Sequence, residues 1–158
     1  MKQITHICRA EKEFVEREVD ILQNLEHSNI VKLLQLVPGE NHSSLIFEFC
    51  FINLSQWITG FFVLCGNALP EFQHKHILKQ LLAGVKYLHE ENIMHRALRP
   101  VNLLLERNGD LKIAGFGSAR RVGRGLEALY TDSLGNPSYS AIEILLGHHS
   151  FFVISTYS

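Results

Sequence analysis

The segment IMHRALRPVNLLLERNGDLKIAGFGSARR, residues 93–121, gathers residue types that handle anionic oxygen. His95, Arg96, Arg99 and Asn102 follow one another closely, and the run has the rhythm of a phosphoryl-transfer site. Such a site also needs carboxylates. One orients the attacking hydroxyl and takes its proton, and another holds a divalent metal. The acids in the segment are Glu106 and Asp110, which fit the ordinary roles of a strand end and a turn. Ala97, beside Arg96, has no polar side-chain atom, and Gly115 opens a Gly-Phe-Gly triplet with no acid in it. The cations and the amide are present, and the acids are missing.

These residues need elements to hold them. Residues 11–26 place Val15, Val19, Leu22 and Leu25 on one stripe, which predicts an amphipathic helix. NIVKLLQLV (29–37) and SSLIFEF (43–49) read as two strands joined by the turn PGEN. A loop and a short helix near 53–60 follow. Residues 71–91 form a strong helix opened by Pro70 and Glu71, with Ile77, Leu81, Val85 and Leu88 on its buried face. NLLLE and DLKIA form a small hairpin about the turn RNGD. Residues 115–140 read as a long loop, and 141–147 as one or two helical turns. The order predicts an α+β arrangement with two lobes.

Composition sets the outer limits. The chain has 158 residues, 46% apolar and 20% charged, which suits one globular domain with one core. A net charge of −1 gives no support to nucleic-acid or anionic-membrane binding. The longest nearly apolar run, WITGFFVLC, is far short of a bilayer span. The N-terminal residues carry no secretory apolar region, so a cytoplasmic or nuclear location is expected. Cys8, Cys50 and Cys65 are odd in number and lack metal spacing, so reduced thiols are expected. His74, His76, His148 and His149 read as surface residues, because no second cluster with ligand spacing accompanies them.

Taken together, six short motifs in order resemble the eukaryotic protein kinases, most nearly the cyclin-dependent, serine/threonine subgroup. They are MK at the start, REV (17–19), LEHSNIVKLL with LIFEFC, HRALRPVNLL, GFG (115–117) and AIE (141–143). The resemblance implies a two-lobed kinase-like fold over residues 1–147, with 148–158 as a non-matching tail. It also implies an incomplete one. The Gly-rich hairpin of the N-lobe is expected to be lacking, and the C-lobe to stop after the A-P-E-like segment.

The resemblance assigns roles residue by residue. Lys2 would grip ATP phosphates, and Glu18 would pair that lysine in an exposed, weak contact. Arg99 stands for the catalytic-loop lysine, and Asn102 for a ligand of Mg²⁺. Ala97 replaces the catalytic base, and Gly115 replaces the main metal-holding aspartate. Phe47 would back the adenine pocket, Glu48 and Cys50 would face adenine with their backbone, and Leu104 would floor it. Leu22, Leu33, His95 and Phe116 would stack as a spine between the lobes. Thr131 aligns with an activating phosphothreonine, with Arg96 as its phosphate partner. ATP and Mg²⁺ are the family's cofactors, and the missing acids argue against their productive binding here.

Three readings follow. The first is a catalytically inactive pseudokinase that works by binding a protein, such as a cyclin-like partner on the 11–26 helix. The second is a serine/threonine kinase with residual ATP binding or phosphotransfer. The third is a truncated gene product with no function of its own. None involves nucleic acid or a membrane.

Overall fold

The computed structural model describes residues 2–5, 9–39, 42–122 and 137–139. The expected roles of Thr131, of the 141–147 turn and of the 148–158 tail lie outside the described residues, as does the side chain of Lys2.

The first lobe pairs three strands with one helix. Strands β1 (Lys2–Thr5), β2 (Leu33–Pro38) and β3 (His42–Phe47) form an antiparallel sheet in the order β1-β3-β2. Leu45, at the centre of β3, is fully buried. Helix α1 (Arg9–Leu22) turns Val15, Glu18, Ile21 and Leu22 inward. The helix ends four residues before the expected boundary. Residues 23–28 leave the helical path to bring His27 onto α3 and Asn29 into the core, so Leu25 packs from a turn.

The expected strand at 29–37 begins at Leu33 instead. Its first residues bond to the other lobe. Ile30 bridges Ile113 in parallel, the Val31 amide donates to the Ile113 carbonyl at 2.9 Å, and the Ile113 amide donates to the Asn29 carbonyl at 2.8 Å. A shift of register between Leu33 and Gln35 then sets β2 against β3.

The second lobe is mainly helical. β4 (Ile52–Asn53) leads into α2 (Leu54–Cys65), which is longer than the expected 53–60 helix. The reason is local capping. The Asn53 side chain accepts from the Gln56 amide while the Gln56 side chain accepts from the Asn53 amide, and Gly66 closes the far end at φ +66. Helix α3 (Glu71–Glu90) lies where its apolar spacing placed it. Strand β5 (Ile93–Met94) and β8 (Arg120–Arg121) make a small two-stranded sheet, so the 115–140 stretch is not all loop. Strands β6 (Leu103–Leu105) and β7 (Leu111–Ile113) form the hairpin expected about RNGD, with Gly109 at φ +90 in the turn.

One core joins these parts. Ile21, Leu22, Ile30 and Val31 from the first lobe meet Leu88, Leu103, Leu111, Ile113 and Phe116 from the second. A polar clasp sits beside it. The Asn29 amide nitrogen donates to Gln80 at 3.0 Å and to the Leu111 carbonyl at 2.9 Å, and His27 stacks on Tyr87 at 4.8 Å. Gly84 allows α3 to approach here, since a Cβ at 84 would lie 2.7 Å from Ile113 Cδ1.

Candidate functional site

The Pro100–Asn102 turn leads into β6 and the Phe116–Ser118 turn follows β7, and with the 95–99 loop they carry the candidate site residues. His95 is buried and packs edge-on against Phe116, with ring centroids 4.7 Å apart. Its Nε2–H donates to the Ala114 carbonyl at 3.0 Å, and its Nδ1 accepts from the Ala97 amide at 3.3 Å. A carbonyl only accepts and an amide N–H only donates, so these partners select the neutral Nε2–H tautomer. Burial pushes the imidazole down to about 4, against the opposing effect of the Ala114 bond. His95 is thus a neutral brace and holds the Ala97 backbone in place.

Leu22 and Phe116 lie in the same core cluster, and Leu33 packs against it half-buried. His95 meets this cluster through Phe116. Phe47 and Leu104 are also half-buried against this core. Leu104 pairs with Lys112 on one side and with Asn53 on the other.

Arg96 takes φ +60, an unusual backbone conformation for a side chain of its size. Its Nε donates to the Ser118 carbonyl at 2.8 Å, which ties the 95–99 loop to the turn after Phe116. Arg99 caps the Pro100–Asn102 turn with its carbonyl, which accepts from the Asn102 amide at 2.9 Å. Its Nε is buried without a hydrogen-bond partner among the described residues.

Asn102 and Gly115 meet. The Asn102 side-chain nitrogen donates to the Ala97 carbonyl at 2.8 Å, and the Asn102 carbonyl accepts from the Ala114 amide at 2.8 Å. Gly115 has φ +83. A Cβ added there would lie 2.7 Å from Asn102 Cγ, 2.8 Å from its Oδ1 and 2.9 Å from its Nδ2. Three nearly equal distances mean that the flat of the amide covers the place of a side chain at 115. A side chain at 115 would have to shift that amide, and the φ is one that few residues besides Gly, Asn and Asp adopt.

The magnesium ion implied by the resemblance does not fit these residues. A hard divalent cation needs several oxygen ligands, carboxylates above all. Ala97 and Gly115 supply none, which leaves the single side-chain oxygen of Asn102. Among the described residues, no group of three or more His, Cys, Asp or Glu could hold a metal.

The hinge-like stretch carries a charge cluster that the motifs did not reveal. Lys112 Nζ lies 3.1 Å from Glu48 and 3.6 Å from Glu106. Burial works against its charge, but Glu48 and Glu106 outweigh it and hold the ammonium above its usual range. Glu48 also accepts from the Lys32 amide at 2.8 Å and donates its own amide to the Lys32 carbonyl at 3.0 Å. Burial, then Glu48 and Glu106, push the neighbouring Cys50 thiol up to about 11, with Lys112 opposing. Cys50 is therefore a neutral, unreactive thiol at physiological pH. The lysine-to-acid pattern spans distant strands, so only the fold brings it together.

Lys2 lies on β1 opposite Leu45. Glu18 is buried at 2% exposure, not exposed as expected, because α1 packs its inner face on the Phe116–Ser118 turn. Among the described side chains of α1 the exposed ones are Glu13, Glu16 and Asp20, and Asp20 lies 3.6 Å from Arg121. Among the described residues, no helix is long and apolar enough to cross a membrane.

The protein kinase domain model matches residues 1–155. The crystal structure of the yeast RNA Pol II CTD kinase CTDK-1 complex contains a similar chain, with 32% identity and a TM-score of 0.76. The similarity covers 87% of this chain and 43% of that one, so this chain spans less than half of its neighbour's length. With a family model spanning nearly every residue and the motif order kept through both lobes, the chain belongs to the protein kinase family.

Proposed function

We propose that the chain is a catalytically inactive, cyclin-dependent-kinase-like member of its family that acts by binding protein. The observation that carries this reading is the Ala97–Asn102–Gly115 contact. At the position of the base there is a methyl group, and at the position of the metal ligand there is no side chain. Loss of a general base costs roughly 10²–10⁴-fold in rate. Loss of metal-assisted charge neutralisation takes several further kcal/mol from transition-state stabilisation.

The protein-binding surface in this reading is α1. Its inner face is committed to the core, and Glu13, Glu16 and the Arg121-paired Asp20 are exposed among its described side chains. A partner on this helix, cyclin-like or otherwise, meets acidic charge and brings basic residues. Cytoplasm and nucleus both fit such a role. Residual adenine binding without transfer is a second reading, favoured by the packed Phe47, Leu104 and spine residues.

The test is direct. The purified chain is expected to transfer no radiolabelled phosphate from ATP to a generic peptide, with or without Mg²⁺. Transfer that Lys2→Met abolishes would overturn the reading. Charge reversal at Glu13, Glu16 and Asp20 together is expected to weaken capture of a cyclin-like partner at least tenfold, while leaving the unfolding midpoint within a few degrees.

A further inference from the structure

We infer that the outer side of α2 is the seat of a second copy of this chain, and that the protein pairs through it as a two-fold dimer. The inference goes beyond the inactive reading and does not depend on it. On the inner side of α2, Leu54 is buried, Trp57 packs on the core, and Phe61 lies beside Trp57 with ring centroids 6.5 Å apart. The outer side carries Ile58, Phe62, Val63 and Leu64, the last three 62%, 74% and 86% exposed. Positions 58, 59, 62 and 63 fall at the spacing of one helix face, and Thr59 among them is exposed too. Four apolar side chains this open present roughly 400 Å² in one place, the size of patch that marks a contact surface.

Charge says what covers it. Two-fold pairing sets a patch against itself, so a charged face would meet like charge. Of the three α-helices among the described residues, α1 and α3 carry charged residues along their length, and α2 carries none from Leu54 to Cys65. It can therefore meet its own copy without burying a charge, while a charged partner finds no opposite charge on it. Gly60 is a second, independent observation. Glycine inside a helix weakens it relative to alanine, and nothing within the chain uses the space, since a Cβ at 60 would have no atom within 4 Å. At Gly84, by contrast, the missing side chain makes room for Ile113. The bare backbone at 60 lets a second helix come close. An antiparallel pair centred on Gly60 sets Ile58 opposite Phe62 of the second copy. Two such patches together cover about 800 Å², and the polar rim of Gln56 and Thr59 adds to it, which is the low end for a specific interface and makes the dimer a weak one.

The experiment is sedimentation velocity on the full chain from roughly 1 to 200 µM, where monomer is expected to pass into dimer at about tens of micromolar, with no larger species. Exposed Cys65 supplies a second readout. A nitroxide on it, in a Cys8→Ser background, should report pairs about 15–25 Å apart, from the helical rise on either side of Gly60 and the spacing of packed helices. Gly60→Leu separates close pairing from mere stickiness. It adds apolar surface and favours the helix, so a sticky patch would associate more strongly, whereas the dimer centred on Gly60 should weaken at least fivefold. Phe62→Glu with Val63→Glu should leave a monomer with an unchanged circular dichroism spectrum. A chain that stays monomeric throughout, that grows beyond two copies, or that pairs as well or better after Gly60→Leu would overturn the inference.

Discussion

Burial holds the His95 imidazole near a pKa of about 4, well under the ordinary 6.5. The sign of the resulting pH dependence is fixed. The unfolded chain takes up a proton at this residue below pH 6.5, and the folded chain resists until about 4. The stabilising contribution is therefore complete above 6.5 and lost as pH falls towards 4. Its full size is about 3 kcal/mol, from the difference between the two pKa values. Urea titrations at pH 7, 5.5 and 4.5 should show this loss in the native chain and a flatter profile in His95→Asn. The HRALRPVN motif marks His95 in the sequence, and the structure buries it against Phe116. Its tautomer was not legible there, since the Ala114 carbonyl and Ala97 amide that choose it meet only after the loop folds back. The same holds for Gly115. The missing acid is visible as a letter, while the approach of the Asn102 amide to Gly115 is a matter of packing.

Among the elements, α2 shows how a local cap overrides a compositional reading. Its apolar run, with Gly60 inside it, looked like a short helix followed by loop. Asn53 and Gln56 cap one end and Gly66 the other, and between them all twelve residues stay helical. The N-x-x-Q spacing was the available signal. Asn53→Ala should cost about 1 kcal/mol through the lost cap, and Gly66→Ala a similar amount through the left-handed φ. Circular dichroism with urea unfolding measures both. Helix α3 and the β6–β7 hairpin were read within a residue or two, because each combines a clear period with a clear stop: Pro70 before the helix and Asn108-Gly109 in the turn. The end of α1 was harder. Its apolar spacing continues to Leu25, but His27 and Asn29 gain a ring stack and two side-chain hydrogen bonds only by leaving the helix. Those partners lie on α3 and β7, far along the chain, so no local pattern announces them.

The molecule as a whole presents apolar surface on its helical lobe. Phe62, Val63 and Leu64 on α2 are exposed, as are Phe72, Leu78 and Leu82 on α3. Exposed apolar patches favour association. Val63→Lys combined with Leu64→Glu should lower dye binding and aggregation while changing stability by no more than about 0.5 kcal/mol, since neither side chain supports the core. Light scattering and ANS fluorescence test this together. The two lobes, finally, are stitched along one line, where residues 29–31 exchange backbone hydrogen bonds with Ile113. That seam is built from main-chain atoms of both lobes. Its bonds run between main-chain groups, so side-chain substitution at 29–31 leaves the donors and acceptors in place, and only proline at 31 takes one of them away.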